Sequence, residues 1–170
     1  TKKVERYTEI FKNASGVART YAFEGYLIYQ LKDGTVSQAD LDNVDKARLL
    51  FQVDLKNNYV QIINKVFDPK ISQYVPVEKV NGENKGIQHS FSIKKDLFAT
   101  GSNTKLVNFK NYYYMVLSYA VMIDDPTQIE PEQFLAGRRN IKVMRATPHN
   151  STPENFNTTL QSGYGSGPEI

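Results

Sequence analysis

The sequence predicts an all-β fold of the two-layer sandwich type, and three observations predict it. One is the run Leu106-Val107-Asn108-Phe109-Lys110-Asn111-Tyr112-Tyr113-Tyr114-Met115-Val116-Leu117-Ser118-Tyr119-Ala120, dense in the aromatic and β-branched residues that suit a pleated, half-buried surface. Another is Ala22 to Leu31, centred on Gly25-Tyr26-Leu27-Ile28-Tyr29 and closed by the turn residues Lys32-Asp33-Gly34-Thr35. The last is a series of further short alternating segments divided by turn residues, with no heptads and no internal repeat.

Taken in order, Val4 to Phe11 alternates as an amphipathic strand, which Asn13-Ala14-Ser15-Gly16 breaks. Ala22 to Leu31 follows as a strand. Ser37-Gln38-Ala39-Asp40 has the spacing of a capping box; the helix it starts is short, because Asp42-Asn43-Val44-Asp45 is a poor interior. Leu49, Phe51, Val53 and Leu55 then alternate with Arg48, Leu50, Gln52 and Asp54 as a half-buried strand. Lys56-Asn57-Asn58 is a turn and Tyr59 to Phe67 a strand, so the two are expected to pair as a hairpin. Ile71 to Val80 is extended around Pro76, which suits a sheet edge. Gln88 to Ile93 and Arg138 to Ala146 complete the expected strands. After Thr147-Pro148 the chain is rich in Pro, Gly, Ser, Thr and Asn and reads as a linker or surface arm over 147–170.

The chain has 170 residues, 40% of them hydrophobic, enough for one domain with its own core. No apolar stretch approaches a membrane span, and no signal-peptide pattern opens the chain. Thr1 stands where a Met is expected, so the chain reads as a fragment or a mature product. With no cysteine, disulfides and thiolate chemistry are excluded. The net charge of +3, from 21 basic and 18 acidic residues, implies only a mild attraction to polyanions. Eleven Tyr and nine Phe stand against no Trp.

The Leu106 to Tyr112 spacing and the two long strands resemble a fibronectin type III domain of the immunoglobulin-like sandwich group. Strand C of that family often reads Gly-Tyr-x-Val-Tyr, matched by Gly25-Tyr26-Leu27-Ile28-Tyr29; strand F often reads Tyr-x-Phe-x-Val-x-Ala, matched by Tyr112-Tyr113-Tyr114-Met115-Val116-Leu117-Ser118. The resemblance implies that Tyr26, Ile28, Tyr112, Tyr114, Val116 and Ser118 face the core. It also implies that Tyr112 bonds back to the backbone near Leu106 as a tyrosine corner. Gln88 to Ile93 becomes strand E and Arg138 to Ala146 strand G. The family's corner Pro and Thr are Asn108 and Lys110 here, and its strand-B Trp is missing, so strand B is either rebuilt from Val4 to Phe11 or lies upstream of Thr1. The domain is then 1–146 with a long insertion at about 35–86, carrying a β-hairpin and the short helix. Phe23-Glu24-Gly25-Tyr26, Asp45-Lys46-Ala47-Arg48-Leu49 and Tyr112-Tyr113-Tyr114-Met115-Val116 are also similar to segments of large exported Bacteroidetes proteins, a group associated with type IX secretion. That implies a secreted or cell-surface (outer-membrane-associated) origin.

Strand F has two apolar faces, because Tyr113, Met115, Leu117, Tyr119 and Val121 alternate with the expected core set. The insertion either folds back over this second face, or Tyr113, Met115, Leu117 and Tyr119 form an outer docking face for another domain or protein. Catalytic chemistry finds little footing. His89 and Ser90 are strand neighbours pointing to opposite faces, and His149 sits in the tail. Two distant histidines make no zinc site, and Asp40, Asp42 and Asp45 lack the Gly and bidentate Glu of a calcium loop. Asp124-Asp125-Pro126 reads as a turn capped by Asp. Arg138, Arg139, Lys142 and Arg145 form a basic strand without interleaved aromatics, which argues against nucleic acid. No cofactor or phosphate-loop pattern is present. Tyr26, Tyr29, Tyr59, Tyr74 and Tyr113 offer a candidate sugar-stacking set. Three Asn-x-Ser/Thr tripeptides begin at Asn13, Asn150 and Asn157. The expected function is a non-catalytic sandwich module for spacing, adhesion or docking to neighbouring domains or proteins, the alternative a carbohydrate-binding module.

Overall fold

The computed structural model describes residues 7–12, 16–125, 127 and 129–149. Val4 to Arg6 of the expected first strand, the three glycan-acceptor Asn residues and the tail beyond His149 lie outside the described residues. The described residues form eight strands: β1 Thr8–Lys12, β2 Ala18–Leu31, β3 Ala47–Asp54, β4 Gln61–Asp68, β5 Gln73–Asn81, β6 Tyr112–Met122, β7 Phe134–Ala136 and β8 Met144–Ala146. Among the described residues there is no α-helix. The capping-box segment closes into a single 3₁₀ turn, Gln38–Asp40, where the Ser37 N–H and hydroxyl both donate to Asp40 Oδ2, at 2.9 and 2.8 Å.

The two runs richest in aromatic and β-branched residues become the two central strands. β2 and β6 pair antiparallel from Tyr21↔Met122 to Leu31↔Tyr113. The other edge of β2 is shared by β1, opposite Ala18–Ala22, and β3, opposite Gly25–Leu31. The other edge of β6 is shared by β8, opposite Tyr112–Tyr114, and β7, opposite Tyr119–Val121. A second sheet is the β4–β5 hairpin alone, with Pro76 on its edge strand opposite Lys65.

Several expectations are corrected here. β3 and β4 do not form a hairpin: β3 joins β2, whereas β4 leaves for the second sheet. The Lys56–Asn58 turn is tied elsewhere, since Asn57 Nδ2 donates to the buried Glu24 at 2.7 Å and Asn57 N–H donates to Asn84 Oδ1 at 2.7 Å. A bulge in the β2–β3 register, Ile28↔Phe51 then Tyr29↔Leu49, breaks the alternation of β3 and leaves Leu49 exposed. Gln88 to Ile93 makes no ladder and runs as irregular backbone, packing Phe91 on Phe51 with ring centroids 5.0 Å apart. Arg138 to Ala146 is a strand only over Met144–Ala146, because Asn140 takes φ 59°, a left-handed conformation that interrupts a strand. β7 has no counterpart in the expected elements.

Of the residues expected to face the core, Ile28, Tyr112 and Tyr114 are buried, but both packed clusters sit on the second face, where the insertion folds back as one of the two expectations had it. Leu27, Leu117, Tyr119 and Val121 pack with Ile62 of β4 and Val80 of β5. Leu31 and Met115 pack with Val36 and Ala47. The hairpin in the insertion thus covers this side of the β2–β6 pair.

Among the described residues, the opposite face is covered at its ends. At one end lies the segment 94–106. Asp96 Oδ1 accepts from the buried Gln30 Nε2 at 2.7 Å and from Phe98 N–H at 2.9 Å, Gln30 Oε1 accepts Leu97 N–H at 2.7 Å, and Lys110 Nζ meets Asp96 Oδ2 at 2.9 Å. At the other end the Asp125 turn is capped by its own carboxylate, which accepts from the Thr127 hydroxyl at 2.5 Å, Glu130 N–H at 2.7 Å and Gln133 Nε2 at 3.0 Å. Those bonds hold Asp125 below the usual carboxylate range, the Thr127 hydroxyl contributing most.

Candidate functional site

Between the two covers, the second face of β2 and β6 holds a cleft of about 520 Å³. Its floor is Phe23, Ser118 and Ala120. Cross-strand register puts Phe23 opposite Ala120 and Tyr26 opposite Ser118, so these side chains share one face. Small residues on β6 make the hollow: Ser118 and Ala120 stand where large side chains fill the opposite face. Gly137 borders it, its N–H donating to Ser118 O at 2.8 Å, and a Cβ built there would lie 2.4 Å from Ser118 Oγ. One wall is Tyr7 with Glu9 of β1; the other is Leu135 to Arg139.

Aromatic groups continue the floor. The Phe23 and Tyr26 rings are 5.1 Å apart, and Val116, opposite Ile28, is 37% exposed beyond them. Tyr21 backs the cleft, buried, with its hydroxyl donating to Glu132 O at 2.7 Å. Burial first, then the charge of Glu132, pushes its phenol up to about 12, so it stays a neutral donor at physiological pH. The rim carries charge. Arg138 lies 4.3 Å over the Phe11 ring and 3.4 Å from Glu9. Arg139 lines the cleft, is exposed, and has no hydrogen-bond or ion-pair partner among the described residues.

The sequence-derived candidates fall elsewhere. Met115, Leu117 and Tyr119 are 2%, 4% and 1% exposed and Tyr113 is half-buried beside Gly34, so the expected docking face is interior. At the corner, the Tyr112 hydroxyl accepts the Val107 N–H at 2.8 Å, next to a half-buried Leu106. The five tyrosines of the sugar-stacking set do not converge. Tyr29 and Tyr59 pack on the first core cluster and Tyr113 on the second, Tyr74 sits on the β4–β5 hairpin, and only Tyr26 is on the cleft face. His89 and Ser90 are both exposed. Asp40 is engaged by Lys46 Nζ at 2.6 Å as well as by Ser37, and Asp42 lies 3.3 Å from Lys79. No group of three or more His, Asp or Glu poised for a metal occurs among the described residues. No helix among them is long and apolar enough to cross a membrane.

The cleft was not foreseen because it depends on what β6 lacks. Ser118-Tyr119-Ala120 reads in sequence as part of an ordinary strand. The one available signal was the step from Tyr112, Tyr114 and Val116 down to Ser118 and Ala120 along a single face.

No family model, curated protein or solved structure matches this chain.

Proposed function

We propose that this chain is a non-catalytic sandwich module, of fibronectin type III kind, in a secreted or cell-surface bacterial protein. It docks a neighbouring domain or another protein through the second face of its β2–β6 pair. The observation that carries the reading is the two-faced central pair: one apolar face is sealed by the insertion hairpin, while the other opens in a cleft floored by Phe23 and Ala120. An apolar hollow rimmed by charge is what a docking site offers. In support of the family reading, β2, β6 and β8 follow the C–F–G order of such sandwiches, and Tyr112 bonds back to Val107 as a corner tyrosine does. A protein occupant is favoured over a sugar, since the five tyrosines of the sugar-stacking set do not converge there and Tyr26 alone of them lies on the cleft face.

A photo-reactive phenylalanine analogue in place of Ser118, in the protein as its native cell makes it, tests this. It is expected to cross-link to one defined peptide of a neighbouring domain or protein, while the same analogue at the exposed Leu49 does not. Equal labelling from both positions, or none from position 118, contradicts the reading.

A further inference from the structure

The β4–β5 hairpin ends in an apolar tip that no other described residue covers. Val66, Phe67, Ile71 and Tyr74 are 45%, 51%, 54% and 63% exposed. Phe67 pairs with Tyr74 across the strands, their rings edge to face at 5.5 Å. An exposed aromatic pair has the composition of an interface anchor rather than of an ordinary surface. Asp68, directly after Phe67, accepts Lys70 N–H at 2.8 Å through Oδ1; its Oδ2 has no partner among the described residues. The tip therefore presents two aromatic rings beside a carboxylate.

The cleft on the reverse face offers an aromatic floor and a cation free of partners among the described residues. It is a hollow of about 520 Å³ floored by Phe23, Ser118 and Ala120, with Glu9 and Arg138 on its walls and the guanidinium of Arg139 at its rim, within the roughly 300–1,000 Å³ of pockets that enclose ligands. The hairpin packs on one face of β2 and β6 and the cleft opens on the other, so the two features occupy different sides of the central pair.

We propose that the occupant of the cleft is the hairpin tip of a second copy of this chain, with Phe67 and Tyr74 against Phe23 and Ala120 and with Asp68 meeting Arg139. This rests on the docking reading above and names its partner. Because knob and hollow are different patches, the contact is head-to-tail. Such a contact propagates into open chains unless its rotation closes a ring, and it spaces the modules along a surface.

Sedimentation velocity of the full chain over rising concentration tests this. The wild type is expected to shift from monomer to a ladder of larger species. Phe67→Glu, which removes the knob, and Arg139→Glu, which reverses the rim charge, are each expected to abolish the ladder; both sites are exposed, so both variants stay folded. Mixing a knob-less Phe67→Glu chain with a hollow-less Ala120→Arg chain is expected to give a species of two chains and no larger one, since one good knob and one good hollow remain. A wild type that stays monomeric throughout, or a Phe67→Glu variant that still forms the ladder, overturns the proposal. The position-118 cross-link separates this failure from that of the docking reading: attachment to residues 66–75 of another copy supports both, whereas attachment to a different protein leaves docking standing and removes self-pairing.

Discussion

Asp96 shows at the scale of one residue how the second face is held. Its carboxyl is 4% exposed. Burial raises its pKa, but bonds from Lys110, the Phe98 N–H and Gln30 outweigh that and hold it below the usual value. Replacing Asp96 with Asn removes the charge from the Lys110 contact and is expected to cost about 1–3 kcal/mol, read as a lower urea midpoint with an unchanged slope. The folded pKa lies below the unfolded value of about 3.9. The stabilisation is therefore complete above that value and fades as pH falls through the folded one. The wild type is expected to lose more stability than Asp96→Asn as the pH falls below about 4, converging on it in acid. Parallel profiles for the two proteins in urea titrations count against this role for Asp96. This contact was not legible in the sequence, since Gln30 and Asp96 lie 66 residues apart and nothing in either neighbourhood marks a partner. Local chemistry was: the Ser37–Asp40 box and the Asp125 cap both follow from side chains bonding to their near neighbours.

Strand identity was legible where the apolar pattern was long, as in β2 and β6, and where one residue constrains position, as Pro76 does on β5. Strand pairing was not. The segment Lys56-Asn57-Asn58 has hairpin chemistry, yet Asn57 is bound to Glu24 and Asn84, and the chain crosses between sheets. Pairing is set by contacts distant in sequence, and a bulge such as that at Leu50 changes which residues face inward. The β4–β5 hairpin is the element on which this fold turns, because Ile62 and Val80 are 0% and 1% exposed against the central strands. Ile62→Ala is expected to cost roughly 2–5 kcal/mol in equilibrium unfolding. The same truncation at the exposed Val66 is expected to cost under about 0.5 kcal/mol. Equal effects at the two positions contradict the hairpin as a cover.

Over the whole molecule, the all-β class followed from aromatic and β-branched runs between turns, whereas the side on which the core forms did not. β6 carries apolar residues at both alternations, so its sequence alone is symmetric with respect to faces. The choice is made by the insertion, which brings Ile62 and Val80 to one face and leaves Phe23, Ser118, Ala120 and Val116 on the other. Of the two expectations for Tyr113, Met115, Leu117 and Tyr119, cover by the insertion holds, and docking is proposed instead on the reverse side of the same strand. The most direct test substitutes lysine at one position on each face, Leu117 and Ser118, and follows urea unfolding by tyrosine fluorescence. Leu117→Lys places a charge in the core and is expected to lose at least the ~2–5 kcal/mol of a truncated core leucine. Ser118→Lys, whose side chain can rise into the open cleft, is expected to fold and to cost clearly less than Leu117→Lys. A Leu117→Lys protein as stable as the wild type, or a Ser118→Lys protein that fails to fold, contradicts the assignment of inside and outside on which this account rests.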